Sequence, residues 1–227
     1  MKTISLVVLS FLAISAWSQS TSFNLSQNNN FTMDVSQLRA ETLHFDIIGS
    51  PYYDETYRLG HIYFKGEKLT FFFRYNALED RVELKDRTTR LFHLQKDYLL
   101  EPTFGNKSYK YLYYLHDEDD LRKGYMVLLE KGNKLSLYIK PRKIFKQADS
   151  PDHGYDSFSP PKYEDASGYY YQYGKDYPRP TKLGKGPLLR LLKDRKLEML
   201  EYISQQELDL NKEQDVVQLI QYYNRNS

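Results

Sequence analysis

From about Leu43 to Lys146 the apolar residues come in short runs broken by polar turns, and no stretch of helical period interrupts them. His61-Ile62-Tyr63-Phe64, the Gly-containing turn Lys65–Lys68 and then Leu69–Tyr75 make a hairpin signal. Asn76–Glu79 turns the chain into Arg81–Lys85, whose alternation predicts Val82 and Leu84 on one face. Arg90–Leu94 and Tyr109–Leu115 read as further strands. Tyr125–Leu129 then pairs with Leu135–Ile139 across Lys131-Gly132-Asn133. The pattern predicts a meander of antiparallel strands over residues 43–146.

Residues 147–168 collect turn formers and few aliphatics (Asp149-Ser150-Pro151-Asp152, Gly154, Ser159-Pro160-Pro161, Ala166-Ser167-Gly168), which predicts an exposed loop. Tyr169–Tyr173 returns as one more strand, ended by Pro178 and Pro180. The period then lengthens. Pro187 suits a first helical position after Gly186. Leu188, Leu189, Leu191, Leu192, Leu197, Met199, Leu200 and Ile203 follow at three-to-four spacing, with Arg195 and Lys196 interrupting the stripe. The spacing fits one helix or two short ones. Asn211 with Gln214 resembles a capping box, opening a final helix through Val216, Val217, Leu219, Ile220 and Tyr223. The predicted fold is therefore mainly β (α+β): an antiparallel meander sheet, or a partly open barrel or sandwich, followed by a small C-terminal helical segment. The terminal strand and helical tail, residues 169–227, are expected to pack on the β domain.

The first 18 residues carry a different pattern. Lys2 precedes an apolar stretch from Ile4 to Ala16, and Ala16-Trp17-Ser18 forms a cleavage site before Gln19. That is the layout of a secretory signal peptide, and the apolar stretch is too short for a comfortable membrane span. Residues 19–42 are polar and lack periodicity, and read as a flexible leader. The expected address is outside the cytoplasm, periplasmic or associated with the outer membrane of a Gram-negative bacterium, or secreted. No transmembrane segment is expected in the mature chain. With no cysteine, a disulfide framework and a thiol-linked lipid are both excluded. The formal net charge of +2 offers no long-range attraction for nucleic acid.

Composition adds one feature: 22 tyrosines and 12 phenylalanines stand against a single tryptophan, Trp17, which lies in the signal-peptide pattern. Half-buried β-structure favours tyrosine, whose ring packs while its hydroxyl stays wet. The alternative is a ligand or partner face, with Tyr109, Tyr111, Tyr113, Tyr114, Tyr169, Tyr170, Tyr171 and Tyr173 as its candidates.

Reactive chemistry is sparse. There is no Gly-x-Ser-x-Gly elbow, His-Glu-x-x-His pair or phosphate-cradling loop, and the five histidines are scattered. No catalytic residue and no cofactor is assigned. His116-Asp117-Glu118-Asp119-Asp120 is the best metal candidate, though it lacks the glycine and distal glutamate of a calcium loop. Glu79-Asp80 and Glu164-Asp165 are adjacent carboxylates, which on a strand point to opposite faces. Lys140, Arg142, Lys143 and Lys146, and later Lys175, Arg179, Lys182 and Lys185, read as solvated faces, or as contacts for anionic lipid or acidic polysaccharide. Asn24, Asn30 and Asn106 open glycosylation sequons.

Gly49-Ser50-Pro51-Tyr52, the Gly60–Lys68 hairpin, Arg74-Tyr75-Asn76, Gly124–Ile139 and the ending Tyr202-Ile203 through Leu219–Asn224 resemble uncharacterised exported β-rich proteins of Bacteroidota-type bacteria. The resemblance implies an envelope address and a β-rich domain with a helical tail, and brings no activity with it. Three functions follow as expectations. The first is a non-enzymatic envelope protein, an interaction or scaffold module with an envelope or outer-membrane protein partner. The second is a glycan- or peptide-binding module using a tyrosine face. The third is a hydrolase whose site assembles only in three dimensions.

Overall fold

The computed structural model describes residues 46–96, 100–148 and 159–225. The 1–18 and 19–42 segments lie outside the described residues. Among these residues twelve strands precede the helices: β1 Arg58–Phe64, β2 Glu67–Asn76, β3 Arg81–Lys85, β4 Leu91–His93, β5 Thr103–Phe104, β6 Lys107–Leu115, β7 Leu121–Glu130, β8 Leu135–Lys140, β9 Lys143–Lys146, β10 Lys162–Asp165, β11 Gly168–Tyr173 and β12 Arg179–Thr181. Helices α1 Lys185–Leu191, α2 Lys196–Gln205 and α3 Glu213–Arg225 follow. Ten strands form one antiparallel sheet in the order β12-β11-β8-β7-β6-β5-β1-β2-β3-β4, and β9 with β10 makes a separate ribbon. The mainly β, antiparallel fold with a helical tail is thus the fold observed, and the sheet stays unclosed.

Turn chemistry explains the hairpins. Lys65 and Gly66 (φ 51° and 83°) join β1 to β2, and Gly105 and Asn106 (56° and 59°) join β5 to β6. Two successive positive φ values give the turn whose twist matches a right-twisted hairpin. The third sequon asparagine is therefore a turn residue. β5 is only two residues long, yet it pairs with both β1 and β6 and joins the two halves of the sheet.

Both faces of the sheet centre are covered. On one face Tyr109, Tyr125, Val127 and Ile139 pack with Phe73, Tyr75, Val82 and Phe104. On the same face Leu135 and Leu137 meet the helices through Leu188, Leu192, Met199, Val216, Leu219 and Tyr223. The opposite face holds a smaller cluster of Tyr114, Met126, Tyr138 and Tyr170. All six residues of β8 are buried as a result.

The structure corrects the sequence reading at four places. Residues 162–165, expected in an exposed loop, form β10: Phe145 packs on Tyr163 at 5.1 Å, and Lys146 pairs with Glu164 at 2.8 Å. The rest of that loop from residue 149 to 158 lies outside the described residues. Pro180, expected to end a strand, sits within β12 at the sheet edge, where a missing N–H costs no ladder bond. Pro187 lies in the first turn of α1 and not at its first residue, still among the N–H positions that have no helical partner. The stripe from Leu188 to Ile203 takes one of its two expected forms, two short helices, because Leu192 and Arg195 leave helical geometry. The Asn211 cap also differs. Its side chain donates to Asp209 Oδ1 at 3.0 Å, while Asp209 N–H donates to Asp215 at 2.8 Å.

Candidate functional site

The eight candidate tyrosines do not share a face. Strand alternation sends Tyr109, Tyr111 and Tyr113 to one side of β6 and Tyr114 to the other. Tyr109 is 1% exposed, stacked on Phe104 with centroids 4.4 Å apart, and burial pushes its hydroxyl pKa far up. Tyr169 donates to Glu213 at 3.1 Å, and burial with that carboxylate raises its pKa to about 12. Tyr171 and Tyr173 pack edge to face at 5.5 Å against the helical core, and Tyr173 donates to the Leu191 carbonyl. These four are packing residues. Tyr111, Tyr113, Tyr114 and Tyr170 line two concavities.

The first is a cleft of about 270 Å³ lined by Tyr111, Tyr113, Lys123, Gln172, Asp176 and Tyr177, among others. Tyr113 and Tyr177 are half exposed, at 49% and 50%, and their centroids lie 6.3 Å apart at 63°. The Lys123 ammonium lies 4.9 Å from both the Tyr111 and the Tyr113 rings. Gln172 is fixed at both ends of its amide, accepting from Tyr138 and donating to the Asp176 carbonyl, each at 2.7 Å. The cleft thus has aromatic walls and a held polar base.

The second concavity, about 200 Å³, is lined by Asp80, Tyr114, His116, Arg122, Lys140, Arg142 and Tyr170. Beneath it runs a buried charge network. Lys140, 8% exposed, places its ammonium 2.5 Å from Asp80 Oδ1, 2.9 Å from the Tyr125 carbonyl and 3.3 Å from Tyr75 Oη. Asp80 Oδ1 also accepts from Tyr125 N–H at 3.1 Å and from the Tyr75 hydroxyl. Desolvation pulls the Lys140 pKa down, and the Asp80 carboxylate opposes it. The same burial, with Asp80 close by, pushes Tyr75 well above its ordinary value. Lys140 therefore leaves the solvated basic face expected of it, while Arg142 remains exposed.

Neither Asp80 nor Lys140 was singled out as a site residue from sequence. The available signal was Gly124, a glycine inside a strand. A Cβ there would lie 2.6 Å from Asp80 Oδ2 and 3.0 Å from Lys140 Nζ, which is the close approach that strand glycines mark. Tyr177 was missed because it follows the Gly174 turn, outside any strand.

At the acidic turn, ligand atoms of His116, Asp117 and Asp120 lie within 4.8 Å of one another. Asp120 is already held by Arg122 at 2.6 Å. One nitrogen and two carboxylates, one of them so engaged, fall short of the six to eight oxygens that calcium takes. Among the described residues no helix is long and apolar enough to cross a membrane. No protein-family model, curated protein or solved structure matches the chain, so no function is inherited from a relative.

Proposed function

We propose that this is an exported, non-enzymatic binding module whose tyrosine cleft takes a short glycan or peptide segment. The observation that carries the reading is the pair of half-exposed rings, Tyr113 and Tyr177, in edge-to-face contact in the wall of a concavity with Lys123 beside them. Apolar walls with a few fixed polar groups are the usual composition of a small-ligand site. The export half of the proposal rests on the 1–18 pattern. The test is a glycan and peptide array followed by titration of any hit. Tyr113→Ala and Tyr177→Ala should each weaken a hit about five- to tenfold, the scale of one aromatic contact. A hit that both variants bind as tightly as the parent protein does would sink the cleft as the site.

A second reading, an envelope scaffold with a protein partner, rests on the other half of the sheet. Leu59, Phe72, Lys85 and Leu91 stand opposite one another across β1 to β4. The three apolar members are 62%, 42% and 63% exposed. In-cell crosslinking with affinity purification tests it: a stoichiometric partner lost on Phe72→Asp supports the scaffold, and a protein recovered alone opposes it.

A further inference from the structure

The geometry points to a second binding site, independent of the tyrosine cleft: the concavity above the Asp80–Lys140 pair receives a small oxyanion, the carboxylate, sulfate or phosphate group of an acidic ligand. Three cations line it, Arg122, Lys140 and Arg142, against the single carboxylate of Asp80. That carboxylate is spent on the Lys140 ammonium at 2.5 Å and on donors from Tyr75 and Tyr125. Arg122 shares its charge with Asp120. Arg142 pairs with no acidic side chain among the described residues, which leaves a planar fork of donors at the rim.

The tyrosines give the second, separate observation. Tyr114 and Tyr170 are each only 6% exposed and pack edge to face at 5.4 Å. Neither hydroxyl hydrogen-bonds to another described residue, yet no fully buried side-chain oxygen among those residues lacks a partner. Both hydroxyls therefore open onto the concavity they line. Burial raises both above the ordinary tyrosine value, Tyr114 to about 12, so they stay protonated donors. Two hydroxyl donors and two guanidinium groups around one small space form a set that an oxyanion satisfies in both hydrogen bonds and charge, whereas a neutral group leaves the charge unbalanced and a cation is repelled. About 200 Å³ holds such a group with a small carrier, and excludes a polymer except through its end or a side substituent.

The test is titration of the full chain with D-glucuronate, inorganic phosphate and sulfate, with D-glucose as the neutral probe, read by NMR shifts of the Gly124 and Gly168 amides. At least one oxyanion should bind, more weakly as salt rises, and glucose should not. The three arms separate a carboxylate ligand from a phosphate or sulfate one. Arg142→Gln should weaken that binding about tenfold or more, and Lys193→Gln, outside the concavity, should leave it unchanged. Because Arg142 is exposed and joins no ion pair among the described residues, its variant keeps the parent circular dichroism. Tyr114→Phe supplies a variant that removes one hydroxyl alone, and it should also weaken binding. Silence towards all three oxyanions at about 50 mM, or binding that Arg142→Gln leaves intact, would overturn the site.

Discussion

Alkaline pH should unfold this protein abruptly, and the structure gives the scale. Tyr75, Tyr109 and Tyr114 are 1%, 1% and 6% exposed. Burial is the first cause raising each hydroxyl above the ordinary tyrosine value of 10.0, and Asp80 adds to it at Tyr75 and Tyr114. The sign follows from linkage. The unfolded chain loses these protons first, so stability is intact below pH 10 and falls as pH rises towards the folded values. Each such group costs about 1.4 kcal/mol for every pH unit above 10, so three remove about 4 kcal/mol by pH 11. That is a large share of the 5–15 kcal/mol typical of a domain. Lys140, whose pKa burial lowers, works in the opposite sense, and one group does not offset three. The assay is tyrosinate absorbance against pH, with near-ultraviolet circular dichroism recorded alongside. Absorbance should rise in two phases, the second steep and coincident with loss of the dichroism. A single smooth titration of all 22 tyrosines near pH 10, with the dichroism unchanged, would refute the burial argument.

Three further outcomes are expected. Asp80→Ala leaves the Lys140 ammonium buried without its counter-charge and should cost about 3–5 kcal/mol in urea unfolding; adding Lys140→Met should recover most of it, and a strictly additive double variant would contradict the pairing. Gly60→Ala places a Cβ 2.3 Å from the Thr103 carbonyl oxygen and 2.5 Å from Phe104 Cβ, so the thermal midpoint should fall by an amount equivalent to about 3 kcal/mol. Tyr109→Ala should cost about 3–5 kcal/mol and Tyr113→Ala less than about 1 kcal/mol; equal losses would contradict a buried Tyr109 and a half-exposed Tyr113 along the same side of β6.

Much of the fold was legible because hairpins announce themselves locally. β1 with β2, and β7 with β8, are long enough to show their apolar runs, and each pair is joined by a short turn containing glycine. β5, β10 and β12 were not legible, since two to four residues carry no period and β10 is mostly charged. The tyrosine sites were harder for a physical reason. Alternation separates buried from exposed only where one face of a sheet meets water. Here β7 and β8 are covered on both faces, so Tyr125 and Met126 are adjacent and both fully buried. The site chemistry depends on distance in sequence: Asp80 and Lys140 are 60 residues apart, and only the folded sheet makes them partners.

The clasp between α3 and β8 sets the order in which this molecule can be completed. Asn224 accepts from the Leu135 N–H at 3.0 Å and donates to the Leu135 carbonyl at 2.8 Å, bridging 89 residues. The other buried members of the cluster around Leu135 and Leu137 all lie in the C-terminal helical segment, residues 188–223. A chain emerging N-terminus first therefore presents β8 with one apolar side bare until residues 213–225 have followed. Collapse of the early hairpins is free to begin, but the final closing step waits for α3. Until that helix arrives the unfinished chain leaves a defined stretch uncovered, the odd positions of β8, and that stretch is where premature association with other chains would start.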